Sequence, residues 1–165
     1  MASPALAQDN NAAWGPNSGD WEFSLGGGGT NDKEFETGNF NLDGELGYYL
    51  TDDLAVALRQ SATYVDLNSG DTWAASSRVA LDLYASLIDN RVRPFIGANV
   101  GYIYGEDVND TWAAGPEAGV KWYVKDDTFI YGRAEYQFLF EDADDASDNF
   151  DDGVWLYTVG IGFNF

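Results

Sequence analysis

Apolar and polar residues alternate along most of this chain. Over residues 158–165 the alternation is strict. Val159, Ile161, Phe163 and Phe165 fall on one side and Thr158, Gly160, Gly162 and Asn164 on the other, the two-residue period of a β-strand. The same period recurs upstream and predicts eight strands, at roughly 19–28, 38–50, 54–65, 73–88, 94–105, 111–124, 128–140 and 154–165. The connections differ in character. Those near 51–53, 89–92 and 125–127 are tight and carry Asp-Asp or Asp-Asn, residues suited to turns. Those near 29–37, 66–72, 106–110 and 141–153 are longer, polar and acidic. Asp71-Thr72-Trp73-Ala74-Ala75 recurs as Asp110-Thr111-Trp112-Ala113-Ala114, each opening a predicted strand after an acidic connection.

The apolar side of the predicted strands carries no charge, from Trp21, Phe23 and Leu25 in the first to Phe163 and Phe165 in the last. Its aromatic residues collect at strand ends. Tyr64, Trp73, Tyr104, Trp112, Phe140 and Trp155 lie beside the long connections, and Trp21, Tyr48, Trp122, Phe163 and Phe165 beside the short ones. Strand middles carry Val, Leu, Ala and Gly. Two aromatic belts around an aliphatic band match the two interfaces of a membrane. A soluble barrel would turn this side inward, and Gly19-Asp20-Trp21 resembles the Gly-x-Trp that opens the first strand of lipocalins. An eight-stranded barrel, however, has an interior just wide enough for side chains. So many large rings do not fit inside it, and the apolar side is expected to face lipid.

The last strand points the same way. Thr158, Gly160, Phe163 and Phe165 fill the four specified places of a polar-x-Gly-x-x-aromatic-x-aromatic pattern and resemble the closing strand of bacterial outer-membrane barrels. In that family the pattern is read by the barrel-assembly machinery. With the strand layout and the two belts, the region 19–165 resembles the small OmpA/OmpX-type barrels. The fold class implied is all-β, an eight-stranded antiparallel up-and-down transmembrane β-barrel. Short turns would be periplasmic and long loops external. The resemblance implies a Gram-negative outer-membrane protein with lipid and lipopolysaccharide as neighbours, structural or surface-interacting rather than catalytic. Residues 1–18 form the other expected unit. Ala5-Leu6-Ala7 before Gln8 resembles the end of a secretory signal peptide, and Gln8 to Ser18 is expected to be a loose tail.

Composition narrows the chemistry. The 165 residues include no Cys and no His, which removes thiolate nucleophiles, Cys-based zinc sites and the usual general base. A net charge of −20 opposes nucleic-acid binding, which needs a basic surface. No apolar run is long enough for a transmembrane helix; barrel strands need far less.

The complementary side of the strands then lines the lumen. It includes Glu22, Asp43, Glu45, Arg59, Arg78, Asp82, Asn99, Glu117, Lys121, Arg133 and Glu135. One reading is structural, an ion-pair network of Glu45, Arg59, Arg78, Asp82, Glu117, Lys121, Arg133 and Glu135 that fills a narrow interior. The other is a narrow pore for small solutes or ions. A turn centred on Asp52 puts Glu45 across from Arg59, and a similar argument brings Glu117 toward Arg133. Paired carboxylates can cleave glycosides, but bases interleaved among these acids hold them ionised, and no enzyme is expected. The long connections carry most of the negative charge; residues 141–152 alone hold seven acids and no base. They are read as solvated loops, or as a diffuse, weak divalent-cation site outside the EF-hand pattern. No cofactor is expected.

Overall fold

The computed structural model describes residues 14–32, 38–67, 70–105, 111–140 and 153–165. Eight antiparallel strands close into a single barrel in chain order. They are β1 Trp21–Asp32, β2 Gly38–Thr51, β3 Leu54–Leu67, β4 Gly70–Tyr84, β5 Val92–Gly105, β6 Thr111–Tyr123, β7 Thr128–Phe140 and β8 Gly153–Asn164, with β8 paired back to β1. This is the all-β architecture that the alternation predicts. Closure leaves no strand edge unpaired. At the seam Trp21 and Phe165 exchange two backbone hydrogen bonds of 2.9 Å, at the same end as the short connections.

Three places differ from the sequence reading. The long connection expected at 66–72 is mostly strand, since β3 runs to Leu67 and β4 starts at Gly70, with Asp66 opposite Asp71 and Leu67 opposite Gly70. β1 continues to Asp32, past Gly29, which reads as the start of a loop. The seam requires a small residue just before Gly29: a Cβ on Gly28 would lie 1.7 Å from the Tyr157 carbonyl oxygen. β4 ends at Tyr84, not near 88. The chain instead turns over Ile88, Asp89 and Asn90, all left-handed at φ 52°, 53° and 65°, and is pinned by the Leu87–Val92 bridge. Asp and Asn accept this conformation readily, whereas Ile88 adopts it against its β-branch.

The two faces of the sheet invert the order of a soluble protein. Arg59 is 0% exposed and Asp82 1%, while Leu42 is 62% and Ile96 66% exposed. Among the described outward side chains of the strands none is charged. Three outward polar groups satisfy one another: Ser77 Oγ donates to Gln60 Oε1 at 2.6 Å, and Gln60 Nε2 donates to the Tyr104 hydroxyl at 2.7 Å.

Many outward rings sit near strand ends. Trp21 packs on Tyr48 (centroids 5.0 Å), and Phe163 on Phe23 (5.8 Å) and Phe165 (5.7 Å); Trp122 stands exposed at the same end. At the other end Trp112 packs on Tyr102 (5.2 Å) and Trp155 on Tyr136 (5.0 Å), with Trp73 exposed and Phe140 at the end of β7. Tyr64 pairs with Trp73 through the backbone, but its side chain lies outside the described residues.

The segment before β1 is fastened to the barrel. Trp14 is partly buried against Tyr123, Phe129 and Tyr131 and lies under the Arg91 guanidinium at 4.3 Å. The Gly15 amide donates to the Asp126 carbonyl at 3.1 Å, and the Ser18 amide to Asp52 Oδ1 at 2.8 Å. Residues 14–18, expected as part of a loose tail, thus touch all three short turns. The signal-like stretch 5–8 and most of the acidic connections, with the cation reading attached to them, fall outside the described residues.

Candidate functional site

Inward side chains form layers along the lumen. At mid-height stand three guanidiniums and five carboxylates. Arg59 uses all three nitrogens, with Nε on Glu45 Oε2 (2.6 Å), one terminal nitrogen on Glu117 Oε1 (2.6 Å) and the other on Asp82 Oδ2 (2.7 Å). Arg133 does the same with Glu135, Glu45 and Asp43, each at 2.7 Å. Arg78 holds Asp43 at 3.0 Å and also Glu135. Glu45 therefore bridges Arg59 and Arg133, while Asp43 and Glu135 each bridge Arg78 and Arg133. A guanidinium suits this role because its planar fork offers five donors in fixed directions. Every charged member of the layer is at most 5% exposed.

Neutral side chains complete the layer. Ser61 Oγ donates to Asp43 at 2.6 Å and accepts from Arg78 at 2.6 Å. Asn99 donates to Glu117 and Glu135, and Gln137 donates to Asn99 Oδ1 at 2.8 Å. Such bonds offset the desolvation that makes unpaired buried charge costly.

A second layer lies nearer the short turns and is built differently. Lys121 Nζ pairs with Glu22 and donates to the Tyr49 hydroxyl at 3.1 Å. Its ammonium is surrounded by the rings of Tyr84 (4.6 Å), Phe129 (4.8 Å), Tyr49 (5.6 Å) and Phe95 (6.0 Å), close enough for cation–π attraction. Glu22 also accepts from Tyr49 at 2.9 Å and Asn164 at 3.1 Å. Below this layer Arg93, 1% exposed, holds Asp53 Oδ1 at 3.0 Å and the Asp52 carbonyl.

The expected network residues all point into the lumen, but they do not form one set. Glu45 lies across from Arg59 in register and bonds to it. Glu117 does not meet Arg133. The register pairs it with Glu135 and pairs Arg133 with Gly119, because residues 124–127 form an open turn closed by Val124 N–H to the Thr128 carbonyl at 2.9 Å. Glu117 reaches across the barrel to Arg59 instead. Arg78 and Asp82 share an inward row but serve different partners. Lys121 belongs to the lower layer.

Sequence reasoning passed over Arg93, read as the edge of a turn, and the part Asp43 plays as a bridge. It also passed over the inward rings Tyr49, Tyr84, Phe95, Tyr123, Phe129 and Tyr131. All six share strand parity with the inward charges, which was the available signal. Among the described residues no group of three acids has the arrangement of a metal site; guanidiniums stand between them. The arrangement can fill and cross-link a lumen.

No protein-family model and no curated sequence matches the chain. Solved structures do. The chain is similar to the N-terminal β-barrel domain of Pseudomonas aeruginosa OprF, at 20% identity and a TM-score of 0.68, over 91% of this chain and 100% of that one. It is similar to OprG of the same organism at 16% identity and 0.66, over 92% and 98%. Neisserial surface protein A matches at 15% identity and 0.68, over 90% and 98%. The fold is that of the small bacterial outer-membrane β-barrels.

Proposed function

We propose that the chain is an integral barrel of the Gram-negative outer membrane, a scaffold with a filled lumen that presents acidic loops outside. The observation that carries this reading is the inverted sheet, with aliphatic side chains exposed between two girdles of rings and charge buried within. In water such a face would be a very large apolar patch; in lipid it is the stable arrangement. The filled lumen favours a structural or surface-interacting role. Lipid and lipopolysaccharide are the expected neighbours, and the acidic loops are where divalent cations would collect. The polar character of the lumen supports a second reading, a narrow pore for small solutes or ions. Neither reading is enzymatic, since guanidiniums engage the mid-lumen carboxylates and no His is present.

Planar-bilayer conductance separates the two. The refolded protein should insert and pass no sustained current; stable unitary currents would establish the pore. A protein that stays monomeric and soluble without detergent would overturn the membrane reading altogether.

The closing strand serves assembly in the same reading. Phe163 and Phe165 stand outward and exposed, while Thr158 is buried inward and Gly160 faces Gly26. Deleting Phe165 should lower insertion in cells yet leave refolding into detergent near normal. Equal losses in both assays would exclude recognition by the assembly machinery.

A further inference from the structure

The outer wall is not uniformly convex. Across β6, β7 and β8, Val120, Gly132 and Val159 lie side by side in register. With Trp122 and Ile130 they line an open groove of about 500 Å³. Gly132 is its floor.

The glycine is the informative residue. Many other strand glycines have a steric reason within the chain: a Cβ would fall 1.7 Å from a backbone oxygen at Gly28 and at Gly115, and 2.1 Å from Asp82 Oδ1 at Gly97, while at Gly44 and Gly47 it would rest in ordinary contact with neighbouring strands. A Cβ on Gly132 would meet nothing within 4 Å, and Gly132 is not among the positive-φ glycines. Glycine weakens a strand and otherwise marks a close approach by something else. No close approach comes from this chain, which points to an occupant outside it.

We infer that the groove seats one acyl chain of a phospholipid, with its ester end beside Trp122 and its hydrocarbon lying over Gly132 toward mid-wall. The inference rests on the membrane reading above. The groove opens on the continuous apolar wall, and a gap there would forfeit dispersion contacts unless a flexible chain filled it. It begins at the short-turn girdle, where an indole offers an apolar face and a donor N–H at headgroup level. A second barrel is a poor occupant, because two convex cylinders meet along a line and leave a concave dip empty.

Photolabelling tests this. The full chain is refolded into phosphatidylcholine vesicles carrying an acyl-chain diazirine phosphatidylcholine, irradiated, and mapped by peptide mass spectrometry. Label on Val120, Ile130 and Val159 should exceed that on Leu58, Val79 and Leu81 of the β3–β4 wall by about threefold, as expected for a seated chain with more contacts. Gly132→Leu should bring the ratio to about one, and Gly132→Ala should lower it part-way. Circular dichroism would verify that both variants remain folded barrels. Equal labelling of the two walls in the parent, or a preference that survives Gly132→Leu, overturns the seat while leaving the membrane reading intact. Cross-links between two copies at these residues would assign the groove to a dimer and overturn it too. No label on either wall, with the protein recovered free of vesicles, would overturn the membrane reading and the seat together.

Discussion

The two charged layers of the lumen bury cations by different means. The middle layer spreads three guanidiniums over five carboxylates, so that Asp43, Glu45 and Glu135 each belong to two arginines. The lower layer gives one ammonium one carboxylate and surrounds it with rings. Arg has directional donors and can tie several strands at once, whereas Lys is a compact point charge that ring quadrupoles can stabilise from several sides. The first arrangement is redundant and cross-linking. The second is local.

Breaking the redundant layer should have the largest effect. Arg133→Ala leaves Asp43, Glu45 and Glu135 short of a partner, and losing one member of a buried pair costs about 3–5 kcal/mol. Denaturant unfolding in lipid should show that loss, or bilayer recordings a leak, beyond the effect of removing any loop acid. A variant as stable and as non-conducting as the parent would end the argument that this layer holds the lumen.

A guanidinium on the outer wall has no carboxylates waiting for it. Leu81→Arg should cost about 2–4 kcal/mol in lipid, against about 0–1 for Trp73→Arg at the girdle. Equal losses would contradict the assignment of that wall to the membrane interior.

The local layer should be separable. Lys121→Met with Glu22→Gln removes both charges and should stay within about 1 kcal/mol of the parent, since exchanging a whole buried pair for neutral groups is often neutral. Arg133→Met with Glu135→Gln should retain most of the single-variant loss, because Asp43 and Glu45 still lack that guanidinium. If both double variants recover alike, the distinction between the layers fails.

Much of this was legible in the residues, for physical reasons. Parity along each strand separated Leu81 from Asp82 and Trp122 from Lys121, because a pleated strand allows only two directions. Asp52 at the centre of a tight turn placed Glu45 against Arg59. The approach of Glu117 to Arg59 was not legible, because it spans the barrel and depends on closure and side-chain length. The turn at 124–127 is centred on Asp126 as the first is on Asp52, which sets Glu117 opposite Glu135, two residues from the Arg133 expected. Gly29 looked like a loop because glycine is a weak strand former, whereas closure pairs it with Phe40 on one side and Tyr157 on the other.

The fastened segment from Trp14 to Ser18 has a mechanical consequence. It contacts Arg91, Asp126 and Asp52, one residue in each of the three hairpin turns. A cylinder braced at one rim breathes unevenly. Widening that rim means peeling a girth strap off all three of its hairpins together. Amide exchange should therefore be slower at Tyr49 and Tyr123 than strand position alone would give, and the stiffness gradient should run along the barrel axis.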